Sequence, residues 1–314
     1  MAIDRNIYFK TYIRPDDLQD IFKYATPSTH YTSLKTYLEA LPIVKANLSR
    51  IIDNSNDNPI AIPNNKTITY LLFMEAENYL DKALANLCSQ ILLFSNKSHS
   101  WGVVTGYYSS FFSINGLLRL QGKGHLHYSS NTPFKGKSFF LSPDNIDRHN
   151  YVFFQHTASH HRDVWIRFHD TYRPIANLCP EQFTPLVTYT LDDLLQEVAR
   201  RNDYNYTVYI GFREVQDLAV LNNNICKMNN ITYRVYNKLF DGDDDIQTIA
   251  RASRRIIFLD YLLRHVAQKK SLLKETHKKL TECRKDYIDS VVRAKVARKE
   301  ISKLVAGRIR HFIT

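Results

Sequence analysis

Apolar residues recur at helical intervals over most of this chain, and the places where that rhythm stops mark its organisation. From about Thr67 to Phe94 a run rich in Leu, Ala and Ile predicts one long helix. The segment Trp101–Leu120 predicts a second. Tyr107, Phe111, Ile114 and Leu118 stand at i, i+4, i+7 and i+11 on one face, and Trp101, Val104, Tyr108 and Phe112 line a face beside it. A helix apolar on two sides belongs in the middle of a bundle, and Gly122-Lys123-Gly124 stops it. Upstream, the chain through about Arg50 predicts short helices, one of them starting at Pro15-Asp16-Asp17. Residues 54–66, polar and carrying two prolines, predict a linker or exposed loop.

Beyond Gly124 the rhythm weakens. Between His125 and about Leu191 clustered Ser, Pro, Lys and Asn interrupt it, and the better helix there runs roughly from Tyr151 to Tyr172. Another helix is expected from Leu191 towards Ala219, although the β-branched and aromatic run YNYTVYIGF inside it would also suit a strand. Asp241-Gly242-Asp243-Asp244-Asp245 resembles half a calcium loop, but the twelfth position is Ala252 where a bidentate Glu is needed. A turn with an acidic helix start fits better. The last helix repeats by sevens through Val266, Leu273, Leu280, Tyr287, Ala294 and Ile301. The positions three further on (Lys269, Thr276, Cys283, Ser290, Ala297, Leu304) are mixed, which predicts a long helix packed along one side or an imperfect coiled coil.

Composition strengthens the helical reading. Only 9 Gly and 10 Pro in 314 residues leave little material for the many turns of a sheet-rich fold. The expected fold class is mostly α. Cys88, Cys179, Cys226 and Cys283 show no paired spacing, so neither a disulfide framework nor a cysteine zinc site is expected. The start MAIDRNIYFK lacks the pattern of a signal peptide, and no apolar run reaches spanning length, so a cytoplasmic protein without a membrane is expected. The formal charge of +11 is concentrated: residues 264–314 hold 15 Lys/Arg against 5 Asp/Glu. That stretch would meet nucleic acid or an acidic partner.

The run W-x5-YY-x2-FF-x4-LL-x3-G (Trp101, Tyr107, Tyr108, Phe111, Phe112, Leu117, Leu118, Gly122) resembles the central helix of HEPN domains of the prokaryotic toxin and defence kind. Glu75, Ala76, Tyr79, Leu80, Ala83 and Leu84 suit the helix before it, and Leu194-Leu195 with Arg201-Asn202 and Tyr204 a later one. The resemblance covers about residues 67–220 and implies a HEPN-like helical bundle. It divides the chain into an N-terminal helical segment and linker (1–66), a HEPN-like domain (67–240) with an insertion at about 125–190, and a long basic C-terminal helix (246–314). Active HEPN proteins are metal-independent ribonucleases that pair an Arg with a His four to six residues on, usually across two facing copies. Arg would stabilise phosphate charge and His would move a proton.

Arg201-Asn202-Asp203-Tyr204-Asn205-Tyr206 occupies the expected place, with Tyr206 where the resemblance implies His. A phenol of pKa about 10 is a poor base at neutral pH, so Arg201, Asn202 and Tyr206 form a degenerate candidate site. Arg162 and His169, seven apart, are the alternative pair, with His156, His160, His161, Arg167 and Arg173 around them. His156 and His160 share a spacing compatible with zinc, but no Glu follows His156 as in HExxH and no cysteine is near. No metal or other cofactor is therefore expected. Arg119 and His125 also have the loose spacing but straddle the glycine stop, so a shared face does not follow. Phosphate-binding loops and the GxSxG elbow are absent.

Two functions follow from the resemblance and the charge together. One is an RNA-binding protein, and possible endoribonuclease, of a defence or toxin–antitoxin system. The other is a non-catalytic subunit that binds a partner protein or nucleic acid. In both, Lys269, Lys270, Lys274, Lys278, Lys279, Arg284, Lys285, Arg293, Lys295, Arg298 and Lys299 would carry the contact. A homodimer or a larger complex is expected.

Overall fold

Helices dominate the computed structural model, which describes residues 6–52, 59–63, 65–95, 98–128, 134–156, 160–206 and 244–293. Among these, no helix is long and apolar enough to cross a membrane. The chain forms two units built from interleaved segments rather than consecutive ones. Residues 1–78, 114–191 and 262–274 make the first; 79–113, 192–261 and 275–314 make the second.

The first unit begins with short helices α1 (Asn6–Lys10), α2 (Pro15–Phe22), α3 (Leu34–Ala40), α4 (Pro42–Ala46) and α5 (Leu48–Ile52). In α2 Pro15 stands at the first helical position with Asp16 and Asp17 in the first turn, as its sequence predicts. After strand β1 (Ile60–Ile62) comes α6 (Lys66–Ser95), whose start is capped: the Asn65 Oδ1 accepts from the backbone N–H groups of Thr67 (3.1 Å) and Ile68 (3.0 Å). Helix α7 (His99–Leu120) ends where the glycines predict. Gly122, at φ +72°, and Lys123 donate back to Arg119 and Leu118, both at 2.9 Å, which closes the helix with a left-handed residue. A side chain at position 122 would also strike Pro143, 2.7 Å from where its Cβ would lie.

That turn launches an antiparallel sheet, which the helical rhythm of the chain conceals. Strands β2 (Gly124–His127), β3 (Ser138–Pro143) and β4 (Tyr151–Gln155) join β1 in the order β1-β4-β3-β2. The helix expected over Tyr151–Tyr172 is corrected accordingly: Tyr151–Gln155 is a strand, and helix α8 begins at His160 and runs to Tyr172. YVFF is apolar without a break because both faces of the sheet are buried, and such a run cannot be told from a helix by periodicity. Phe139, Leu141, Tyr151 and Phe153 face a core with Leu34, Leu38, Ile68, Leu71 and Leu72. Phe140, Val152 and Phe154 face the opposite way, onto Tyr8 and Phe9 of α1. Tyr151 ties its face to α6 by a hydroxyl contact of 2.9 Å with Thr69. The unit continues through α9 (Thr184–Val187).

In the second unit the described residues form no strand. Its parts of α6 and α7 are joined by a short connection and carry the aromatic run. Tyr107 and Phe111 are buried and stacked, their centroids 6.0 Å apart, while Trp101, at 62% exposure, leaves the second apolar face at its first position. Small residues Gly102, Gly106, Ser109 and Ser113 share one helical face. A Cβ on Gly106 would meet the Gln90 side chain at 2.1 Å, and the Ser109 hydroxyl donates to the Ala83 carbonyl at 2.8 Å. Close approach to α6 is what requires glycine here. Helix α10 (Leu191–Tyr206) lies largely in this unit, and its Glu197 takes a two-pronged contact from Arg255 (2.7 and 2.8 Å) of α11 (Asp244–Ala267). Asp244 and Asp245 of the acidic run are the first described residues of α11, and positions 241–243 lie outside the described residues. YNYTVYIGF lies outside the described residues from position 207 onward.

The single helix expected over 246–314 is interrupted. Helix α11 stops at Ala267, residues 268–270 turn, and α12 runs from Ser271 to Arg293. The buried face of α12 is Leu273, His277, Arg284 and Ile288, whereas Tyr287 of the sevenfold series is 43% exposed. A straight helix of 3.6 residues per turn drifts away from a repeat of seven unless a partner supercoils with it. Ala294 and Ile301 lie outside the described residues.

Candidate functional site

The buried sheet face towards α1 and α8 gathers a group of polar side chains. Three features of the fold converge there. The glycine turn after α7 puts Lys123 and His125 on that face, since alternate strand residues point the same way. His125 pairs across the ladder with Phe140, and Phe140 with Phe154. His156, two residues beyond Phe154, donates its backbone N–H to the Ser138 carbonyl (2.9 Å) and so stays beside β3. Finally α8 contributes Asp163 in its first turn and Arg167 one turn later. Asn115, Leu118 and Arg119 of α7 complete the small pocket these groups line.

One ligand atom from each of His125, His156 and Asp163 lies within 4.8 Å of the others. His156 Nε2 and Asp163 Oδ2 are 3.4 Å apart. Both atoms are buried and, among the described residues, neither has a hydrogen-bond partner. The His156 ring packs on Phe9 (5.0 Å) and Phe140 (6.1 Å), and the His125 ring stands nearly perpendicular to it at 5.9 Å. Asp163 is 8% exposed.

The cations around this group are differently placed. Arg119 is consumed by structure: it meets Glu75 at 2.6 Å and donates to the carbonyls of Lys123 (3.0 Å) and His125 (3.4 Å), pinning the entry to β2. Lys123 is fully buried and donates to the Phe9 carbonyl (2.7 Å) and the Thr171 hydroxyl (2.6 Å). Burial, helped by Arg167 and Arg148 and opposed by Asp170, holds its ammonium well below the ordinary lysine range. Arg167 lies over the Phe9 ring at 3.3 Å and reaches Asp170 at 3.7 Å. Burial lowers its pKa, with Asp163 and Asp170 opposing.

The candidate residues read from the sequence are not brought together in this way. Arg201 donates to the Tyr108 hydroxyl at 2.6 Å and to Asn202 at 2.8 Å, and packs near the Tyr107 and Tyr108 rings. Asn202 is exposed, and the side chain of Tyr206 lies outside the description. Arg162 is exposed, whereas His169 is half-buried and 3.4 Å from Asp170. His156 and His160 do not share a helix, because His156 precedes α8. Arg119 and His125 do line one pocket, although Arg119 is committed as described.

Of the basic contact residues, Lys269, Lys274, Lys278 and Lys279 are exposed and Lys270 and Lys285 half-buried. Arg284 is corrected: it is 4% exposed and bonds Asp81 at 2.5 Å, because it falls on the buried face of α12. Lys269 is 3.5 Å from Asp20. The side chain of Arg293 and all of Lys295, Arg298 and Lys299 lie outside the described residues. Helical spacing gathers Lys274, Lys278 and Lys285 in one stripe and Glu275, Glu282 and Asp286 in the next, with Lys279 beyond. No protein-family model, curated protein or solved structure matches the chain.

Proposed function

We propose that this chain is a HEPN-like helical protein that binds RNA through its basic C-terminal region and does not cut it at the Arg201 motif. The observation carrying this reading is the capture of Arg201 by Tyr108 at 2.6 Å. A guanidinium bonded to a phenol and lying near two aromatic rings serves packing, and it is not presented to a scissile phosphate. The stripe of Lys274, Lys278 and Lys285, exposed at its first two positions, supports the binding half, since segregated cations give a phosphate backbone one continuous track. The helical second unit and its buried aromatic run support the HEPN-like half.

Fluorescence anisotropy with labelled single-stranded RNA at several salt concentrations tests the reading. Binding should weaken as salt rises. The triple substitution Lys274→Gln, Lys278→Gln, Lys285→Gln should reduce the salt slope by about 2, at roughly 0.7 per phosphate contact on a single strand. Binding that ignores salt, or a triple variant that binds as the parent does, would sink it. RNA cleavage in excess chelator that vanishes in Arg201→Ala would replace it with the ribonuclease reading.

A further inference from the structure

We propose that His125, His156 and Asp163 bind a divalent transition-metal ion of the zinc class, with the fourth position left to water. This goes beyond the RNA-binding reading and uses none of its residues. Two imidazoles and one carboxylate are a donor set that borderline metals favour, and a dication so held keeps an open position. The geometry is close to what such an ion needs. With bonds of about 2.0–2.2 Å, ligand atoms at a tetrahedral centre stand roughly 3.3–3.6 Å apart. His156 Nε2 and Asp163 Oδ2 already stand at 3.4 Å, and the whole set falls within 4.8 Å.

Three properties of the surroundings favour the ion over an accidental cluster. The His156 and Asp163 atoms are withdrawn from water without gaining hydrogen bonds among the described residues, an arrangement that costs about 1–3 kcal/mol per group unless something occupies it. Phe9 and Phe140 hold the His156 ring in place, so little ordering remains for the metal to impose. The neighbouring cations also have partners besides Asp163, although Asp163 still acts on Arg167. Glu75 takes Arg119, Asp170 and the Phe9 ring take Arg167, and Lys123 is held by a carbonyl and a hydroxyl. Asp163 Oδ2, which has no hydrogen bond among the described residues, is the oxygen that would meet the ion. Access is open too: the His156 side chain retains 16% exposure and that of Asp163 11%.

The test is a titration of the full chain, first stripped with chelator, with cobalt(II) and then zinc(II). Cobalt should give the visible d–d absorption of a four-coordinate nitrogen and oxygen site at one ion per chain, and zinc should displace it. His156→Ala and Asp163→Asn should each weaken zinc binding by at least about 100-fold, while His169→Ala, on the same helix outside the site, should leave it unchanged. Far-UV circular dichroism checks that each variant is folded, and Asp163→Asn keeps the side-chain shape if His156→Ala does not fold. Absence of a stoichiometric cobalt spectrum, or zinc affinity retained in folded Asp163→Asn, would overturn the proposal. RNA binding by Asp163→Asn should equal that of the parent, so failure of the metal site and failure of the RNA-binding reading give different results.

Discussion

Two groups of buried charge, one in each unit, are treated in opposite ways. In the second, Arg255 is fully buried yet closed by Glu197 with two parallel bonds, with Arg251 a further 3.6 Å from the same carboxylate. In the first, the sheet face draws His125, His156 and Asp163 together, and the His156–Asp163 approach is not aligned as a hydrogen bond. A charge answered by a fork-to-fork partner is part of the framework. A group desolvated without such an answer is the better candidate for a ligand site. Arg201, bonded to the Tyr108 hydroxyl and to Asn202, stands between these two cases.

Substitutions can break this contrast at either side. The largest effect is expected for Glu197→Ala, which removes the two-pronged contact of the buried Arg255 guanidinium. Urea unfolding should show a loss of about 3–5 kcal/mol, and a loss below about 1 kcal/mol would mean that the pair is not structural. Next comes an effect of pH at the cysteines. Burial pushes the Cys88 thiol in the second unit up to about 12 and the Cys179 thiol in the first up to about 11. Both thiols ionise more easily in the unfolded chain. Their contribution is therefore complete below about pH 9 and is lost as pH rises through the folded values. Stability should fall from pH 9 upward by on the order of 1 kcal/mol per pH unit for each thiol. Cys88→Ala should make the slope between pH 9 and pH 12 shallower by that amount, as read by denaturation across that range. The smallest effect is expected for Asp163→Asn without metal, about 1 kcal/mol or less, corresponding to a first-turn carboxylate on its helix. A loss as large as that of Glu197→Ala would show that Asp163 is a framework residue after all.

Much of the helical scaffold was legible because its signals are local. Pro15 with Asp16 and Asp17 marks one start, and Gly122 marks a stop that the backbone carries out at φ +72°. The aromatic spacing of α7 likewise gives its buried face, through Tyr107, Phe111, Ile114 and Leu118. The sheet was not legible in the same way. Tyr151–Gln155 is apolar on both faces, and its partners lie in β1, about ninety residues upstream, and in β3. Charge was legible as a sum but only partly as a surface. Of the excess of ten positive charges in residues 264–314, five belong to residues 294–314, and Arg284 within α12 turns inward to Asp81.

The sequence by itself determined where helices start and stop, that helix dominates, and that the C-terminal stretch carries the positive charge. These depend on neighbours within a turn or two, or on counting. Tertiary structure decided which polar residues meet. His125 and His156 are 31 positions apart, and ladder register through Phe140 and Phe154 brings them together. Arg201 is drawn to a tyrosine 93 residues away. Register and long-range capture are set by how whole faces exclude water, and no spacing along the chain encodes them.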